Sequence, residues 1–503
     1  MDTNAAGPSQ IPVKELLKCH KDYDPELMDK HRDLFEGGER FEQNKSKYLR
    51  WRAIEYTSQG THQRKARLQA ASYTSHVGGL IRFLIAATYS SQPALVPPSG
   101  SDNEYYTGLN EDADGAGHSV AEVTRMALEE SVVNGRSYLA LDFPDPEDAP
   151  SLEKQQASGG LDARICFLDA ATVDDWAKDD DGNLLFVRTH CIDEIRSSIY
   201  GPPDLERHTW TYITPTLTQE YVAERLIKDG KPESWSNNAT ASGASPKANA
   251  LGVLPVVEID APWVMRSLAP LAISIFNREA NLDWSFDVSS FSQLVIKTKK
   301  QMGQIISSQN FAMVLDPGGA NQQPDSAEYI SPDPSHLESQ MRWTEKKKED
   351  LYLALQSMIL QQSAKDSNGR QSGVAKEMDF SAVAQLLSVF AQAVKNALRN
   401  LTLMINAVRG EPELDVKIVG LDKFDVLGLM QKMEIVERVM PLPLPESAKR
   451  YAIGDLAASV TAQAPAAVRQ QVLEDVASVD LTPAPPEDQN DGGPKESGGP
   501  PQN

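Results

Sequence analysis

The sequence predicts an α+β fold, mainly α, and three observations carry that prediction. Long helical patterns follow one another after Pro270, the last with a sustained apolar stripe through Val383, Leu386, Leu387, Phe390, Val394, Leu398, Leu401, Ile405 and Val408. Between Arg164 and Asp260 the pattern changes to runs rich in β-branched and aromatic residues, separated by turn sequences. Apolar residues make up 40% and charged residues 24% of 503, the ordinary mix of a folded chain. That length asks for more than one domain or one elongated subunit with several regions.

Taken in order, residues 1–22 read as a flexible arm, with Met1 to Pro12 as a mobile tail. From Pro25 to about Ala87 the pattern is helical, placing Leu68, Val77, Leu80, Ile81, Leu84 and Ile85 near one face until the prolines of "QPALVPPSGSD" break it. In "GHSVAEVTRMALEESVVNGRSYLALDF", Ser119 and Glu122 have capping-box spacing. The helix should run to Asn134, with Gly135 taking the left-handed terminal conformation before a strand that Pro144 ends. Short strands follow from Arg164 to Leu226, the first two separated by the turn "DDDGN", then a polar loop, "SWSNNATASGASPKANALG", and a returning strand, "VLPVVEID".

The remaining third is mostly helical. Pro270 suits a first helical turn, so a helix is expected from about Leu271 to Phe291. A mixed insert follows, then a helix opened by a capping box of Ser335 with Glu338. The exposed stretch "AKDSNGRQSGVAKEM" joins it to a helix from about Val374 to Arg409, which at 1.5 Å per residue is on the order of 50 Å long. Shorter helices surround "PLPLPES", and from Thr482 a Pro-, Gly- and acid-rich tail is expected to be disordered.

Charge and motifs narrow the chemistry. A net charge of −22 argues against coating nucleic acid, which needs a surplus of Lys and Arg, yet a wall that repels phosphate lets DNA slide. Three cysteines without C-x-x-C spacing make no disulfide framework or zinc cage, and no apolar stretch is long enough for a bilayer. Neither a signal peptide nor a Walker A motif is recognised, so the chain is expected to be soluble and intracellular when made, with any work on ATP left to a partner. "GHSVA" departs from a nucleophile elbow in its last glycine and in the loop before it, which leaves Ser119 as a helix cap first and a hydrolase nucleophile only as a remote alternative. "DDDGN" lacks calcium-loop spacing, and the histidines form no zinc motif. No catalytic, cofactor-binding or metal residue is assigned. "KTKK" is a small basic cluster in an acidic chain, either a soluble strand end or a contact, and "WTEKKKEDLY" reads as a solvated helix face.

From Tyr23 to Val476 the order of elements resembles the portal proteins of tailed double-stranded DNA bacteriophages. The resemblance is most specific in "DADGAGHSVAEVTRMALEESVVNGRSYLALDFP" and in the succession from "VLPVVEID" through helix, insert, helix, "SG" loop and long helix. It implies a ring around a central channel, with wing, stem, clip and crown regions. The matching positions are 1–22 for the arm, 23–265 for the wing, 266–292 and 334–363 for the stem helices and 293–333 for the clip. A tunnel loop at 364–373, a long wing or channel helix at 374–410, C-terminal wing and crown helices at 411–481 and the tail at 482–503 complete the series.

The resemblance further implies a homo-oligomeric ring, usually a dodecamer, at one capsid vertex of the virion, assembled in the host cytoplasm. Its partners would be the terminase, the major capsid and scaffolding proteins, and head-completion or tail adaptor proteins, with no membrane involved. Double-stranded DNA would pass through without sequence recognition. Lys365, Asn368, Gly369, Arg370, Gln371, Ser372 and Lys376 would face DNA: glycine for backbone freedom, amides and hydroxyl for phosphate oxygens, and cations repeated around the ring. Lys297, Lys299 and Lys300 would lie in the partner-binding clip. The rival reading is a structural adaptor of capsid or tail that conducts no DNA.

Overall fold

The computed structural model describes residues 10–57, 60–98, 103–143, 162–196, 201–228, 230–235, 238–241, 247–249, 252–289, 293–297, 326–330, 334–363, 375–411 and 414–422, with a few helical residues beyond 448. The chain divides into two units, Met1–Phe424 and Asp425–Asn503. Of the second, only short helical pieces between 449 and 476 are described, so most of the expected crown helices and the whole tail lie outside the described residues.

Helix α7 (Val120–Asn134) shows how local chemistry sets an element that packing then buries. Ser119 accepts from the Glu122 N–H at 3.2 Å while Glu122 accepts from the Ser119 N–H at 2.9 Å, which completes the capping box. Gly135 ends the helix at φ 84°, and a Cβ there would lie 2.5 Å from the Trp263 ring, so both conformation and space require glycine. Val123, Ala127, Leu128 and Val132 are fully buried, and so is Ser131, which donates to the Ile259 carbonyl at 2.8 Å.

Around α7 pack α2 (Pro25–Glu36), α5 (His76–Thr88) and α8 (Val264–Ser289), with α3 (Gly38–Tyr48) and α4 (Gly60–Ala70) to the side and α6 (Asn103–Glu111) beside it. Arg32 of α2 reaches Glu130 of α7 at 3.0 Å and Asp169 at 3.2 Å, tying the helical part to the strands. Strands β3 (Tyr138–Asp142), β4 (Arg164–Leu168) and β12 (Val256–Glu258) form an antiparallel sheet in the order β12-β3-β4.

The strand-rich region is one larger antiparallel sheet. Its main path runs β1 (Gln10–Pro12), β10 (Asn238–Ala241), β8 (Leu217–Lys228), β7 (Leu205–Ile213), β6 (Leu184–Ile195), β5 (Val173–Lys178), with β9 (Lys231–Pro232) and β11 (Lys247–Ala248) also on β8. The Asp179–Asn183 turn is a β5–β6 hairpin closed by Asp179, whose carboxylate accepts from the N–H groups of Asp181 and Asn183 at 3.0 and 2.7 Å. Two expectations change here. The strands are not short, since β6 and β8 each span 12 residues, because no turn chemistry interrupts them. The polar loop also carries two short strands, because β8 offers an open edge on which backbone groups can pair.

The flexible arm over 1–22 is corrected as well. Residues 10–12 pair with β10, and α1 (Val13–Leu16) buries Val13 and Leu16 against Trp210, Tyr221 and Ala223. A short apolar segment gains order from a partner more than two hundred residues away, which local pattern does not register.

Two further boundaries shift. Helix α8 starts at Val264, leaving Pro270 inside it; the burial of Val264, Met265, Leu268 and Ala269 outweighs the hydrogen bond that proline cannot make. Helix α9 (Pro334–Ser363) begins at proline, so Ser335 sits within the first turn and not at the cap. The last long helix, α10 (Ala375–Val408), buries Leu386, Leu387, Phe390, Val394, Leu398, Leu401 and Ile405 along the expected stripe, and β15 (Lys417–Val419) pairs with β2 (Ala94–Val96) beyond it.

One buried group gives the fold a pH dependence. His31 of α2 is 2% exposed beside Trp263, and burial, then the Lys30 charge, lowers its pKa from 6.5 to about 4. A base held neutral contributes stability that is complete above its unfolded pKa and is lost as pH falls toward the folded value. The loss from this residue reaches about 3 kcal/mol below pH 4 and roughly 1.4 kcal/mol at pH 5.5. Denaturant midpoints at pH 7.5 and 5.5 should differ accordingly, and His31→Gln should remove that share of the difference.

Candidate functional site

Helices α8, α9 and α10 form the part of the molecule to which the sequence assigns a role. Between α8 and α9 lies a two-stranded antiparallel ribbon, β13 (Gln293–Lys297) with β14 (Ser326–Ile330), paired from Gln293 with Ile330 to Lys297 with Ser326. At 1.5 Å per residue, the 26, 30 and 34 residues of α8, α9 and α10 correspond to about 39, 45 and 51 Å.

Helix α8 is anchored from its middle onward by polar side chains. Asn277 accepts from the Arg50 N–H at 2.7 Å and donates to the Tyr48 carbonyl at 2.9 Å. Asn281 accepts from Arg52 at 2.7 Å and from Arg67 at 3.3 Å. Arg67 in turn holds Glu55, with Nε and Nη2 each 2.8 Å from a carboxylate oxygen and both side chains buried. Burial opposes the Glu55 charge, but hydrogen bonds from Arg67 and the Arg52 N–H keep its carboxyl below the usual range. Phe41 adds apolar contact, stacked on Tyr73 at 3.9 Å and edge-on to Phe276 of α8 at 4.9 Å.

Across to α9, Lys348 pairs with Glu279 at 2.9 Å, and Arg278 lies 5.8 Å from the Trp343 ring centroid. Leu351 and Leu355 of α9 are buried. On the same helix Met341, Trp343, Tyr352 and Leu353, with Phe286 of α8, are between 39% and 57% exposed. Large apolar side chains therefore stand on both the covered and the uncovered side of α9, as on a helix flanked by protein on both sides. The sequence signal was available in "LYLAL", where adjacent apolar residues cannot share one helical face.

The residues assigned to DNA lie mostly beyond what is described. Lys365, Asn368, Gly369, Arg370, Gln371 and Ser372 fall between the end of α9 and the start of α10, outside the described residues. Lys376 is the second residue of α10. In the region assigned to partner binding, Lys297 is the last residue of β13, while Lys299 and Lys300 are outside the described residues. The Ser119 hydroxyl donates to Glu122 at 2.9 Å, and neighbouring His118 pairs with Asp114 at 2.7 Å, so the cap occupies the serine. Sequence reasoning missed the buried pairs Arg67–Glu55 and Arg188–Asp174 and the Arg32 link, because each depends on tertiary placement.

No protein-family model matches the chain, and no curated protein matches it. Among the solved structures similar to it are two particle necks. The neck of an empty GTA (gene transfer agent) particle, computed with C6 symmetry, has 14% identity over 75% of this chain and 90% of that one, at a TM-score of 0.38. The neck of a native GTA particle, computed with C12 symmetry, has 12% identity over 77% and 92%, at 0.35.

Proposed function

We propose that the chain is the subunit of a portal-type connector ring that passes double-stranded DNA through a particle vertex. The observation that carries this reading is the unit α8, β13–β14 ribbon, α9, connection, α10. Its first helix is fixed to the N-terminal body by Asn277 and Asn281, and its second carries exposed Trp343, Tyr352 and Leu353. A ring gives those apolar side chains a place, because each subunit then meets a neighbour on both sides through different faces. Under the same reading α8 and α9 are the stem, 293–333 is the clip that docks a terminase and then adaptor proteins through Lys297, Lys299 and Lys300, and 364–373 is the tunnel loop.

The acidic chain fits transit better than grip, since phosphate is held only where the loop brings Lys365, Arg370 and Lys376 to it. A ring of about a dozen copies multiplies each such cation, which makes charge reversal a sensitive probe. Particles carrying Arg370→Glu should package or retain at least several-fold less DNA than wild type, measured as encapsidated nuclease-resistant DNA per particle. Unchanged packaging and retention would remove the tunnel-loop role and favour an adaptor that conducts no DNA.

A further inference from the structure

One face of the large sheet carries an ionisable cluster covered by the N-terminal segment. Alternation places Arg188 and His190 of β6, Glu206, His208, Trp210 and Tyr212 of β7, and Tyr221, Ala223 and Arg225 of β8 on that face. His190 Nε2 and His208 Nδ1 are 2.8 Å apart, and His190 stacks on Trp210 with ring centroids 4.7 Å apart. Trp235 stands edge-on to His208 at 4.7 Å. Over this cluster lie Ile11, Val13 and Leu16, and Arg188 Nη2 donates to the Lys18 carbonyl at 2.9 Å.

A nitrogen pair at hydrogen-bond distance holds one proton, donated by one ring and accepted by the other. A second proton in that gap puts two N–H groups head to head and gives one ring a positive charge with no acceptor in front of it. Acceptors for the separated rings are already in place. Asp174 Oδ2, buried and without a hydrogen-bond partner, is 3.7 Å from His190 Nδ1; Glu206 Oε1 is 3.3 Å from His208 Nε2. Asp174 reaches this position through a register shift in β5 between Val173 and Asp175.

We propose that the His190–His208 pair is an acid-sensitive latch for the N-terminal segment Gln10–Leu16, closed while the two facing nitrogens share one proton and opened when each ring carries its own. Separation moves His190 off Trp210 and His208 off Trp235, and these indoles belong to the surface on which Val13 and Leu16 rest. The charged groups facing the pair are Asp174 and Asp175 from β5, Arg188 from β6, Glu206 from β7 and Arg225 from β8. On the covering segment, His20 stacks on Trp176 at 3.9 Å and accepts from the Asp22 N–H, so it is engaged elsewhere.

The direction of the response follows from burial. Burial, then His208 and Arg188, lowers the pKa of His190 from 6.5 to about 4, and burial lowers that of His208. The closed state therefore binds fewer protons than the released state, and acid favours release. At pH 5.5 a histidine with an ordinary pKa when released and about 4 when latched shifts the equilibrium about tenfold toward release.

The test is amide hydrogen exchange on the full chain, expressed as protection relative to intrinsic rates. Protection at Ile11 and Val13 to Leu16 should fall about tenfold or more between pH 7.5 and 5.5. In His190→Gln it should be equal at both pH values within about twofold. Equal protection of the wild type at both pH values, or a wild-type response in His190→Gln, overturns the latch. Should His190→Gln lose protection across the whole sheet at pH 7.5, the wild-type imidazole resonances decide. Both rings must titrate in step with the loss of protection, and titration of either ring without that loss overturns the proposal.

Discussion

Replacing Arg67 with alanine is expected to destabilise the first unit by about 3–5 kcal/mol, the cost of leaving a buried carboxylate without its partner. Glu55 is 1% exposed and takes two hydrogen bonds from Arg67. The same guanidinium also donates to the Arg50 carbonyl at 2.6 Å and to Asn281 of α8. Its removal thus leaves Glu55 to the Arg52 N–H and the more distant Arg64, and takes a donor from the Arg50 carbonyl and from Asn281 together. The double replacement Arg67→Met with Glu55→Leu should cost less than Arg67→Ala, because the Glu55 charge leaves with its partner, the volume is kept, and Arg64 retains the Leu49 and Ser46 carbonyls. Urea unfolding followed by tryptophan fluorescence measures both. A single variant that loses less than about 1 kcal/mol would mean that water reaches Glu55 and that the anchor of α8 lies elsewhere.

The second large effect is expected at Gly78, with its neighbour as control. Both glycines lie in α5, one residue apart. A Cβ on Gly78 would stand 2.0 Å from the Phe35 carbonyl oxygen and 2.5 Å from Ser75 Oγ, whereas a Cβ on Gly79 meets nothing within 4 Å. The Phe35 oxygen is backbone of α2 and accepts from Ser75 at 2.8 Å, so relief requires two helices to separate. Gly78→Ala should therefore cost about 3 kcal/mol or more, at the upper end of overpacking. Gly79→Ala should add about 0.5–1 kcal/mol of stability through helix propensity. Thermal midpoints of the two variants should move in opposite directions; movement in the same direction would contradict the close contact of α2 and α5.

What could be read from sequence was chemistry that acts over a few residues. The Ser119 cap, the Gly135 terminus, the Asp179–Asn183 turn and the stripe of α10 are decided by neighbours in the chain, and each is present. Pro270 lies inside α8 because burial of the residues before it, not the local signal, sets where that helix begins, and α9 begins at Pro334, which puts Ser335 in its first turn. The N-terminal arm was misread for a related reason: Val13 and Leu16 find their apolar surface on β7 and β8, and sequence distance hides it. Arg188 and Asp174 meet only because β5 is irregular at that point, and periodicity cannot announce a bulge. For the candidate site, the succession of long helices around an insert was legible as an order of elements. The exposed apolar face of α9 was not used, although "LYLAL" encodes it.

Whether the subunits close into a ring with a passage for duplex DNA is decided by electron microscopy of the purified full chain with native mass measurement of the same sample. Rings of about a dozen subunits are expected, with a central opening wider than a duplex of roughly 20 Å, inferred from its groove dimensions. Rings without an opening of that width, or a chain that stays monomeric with scaffold and capsid partners present, would contradict that expectation.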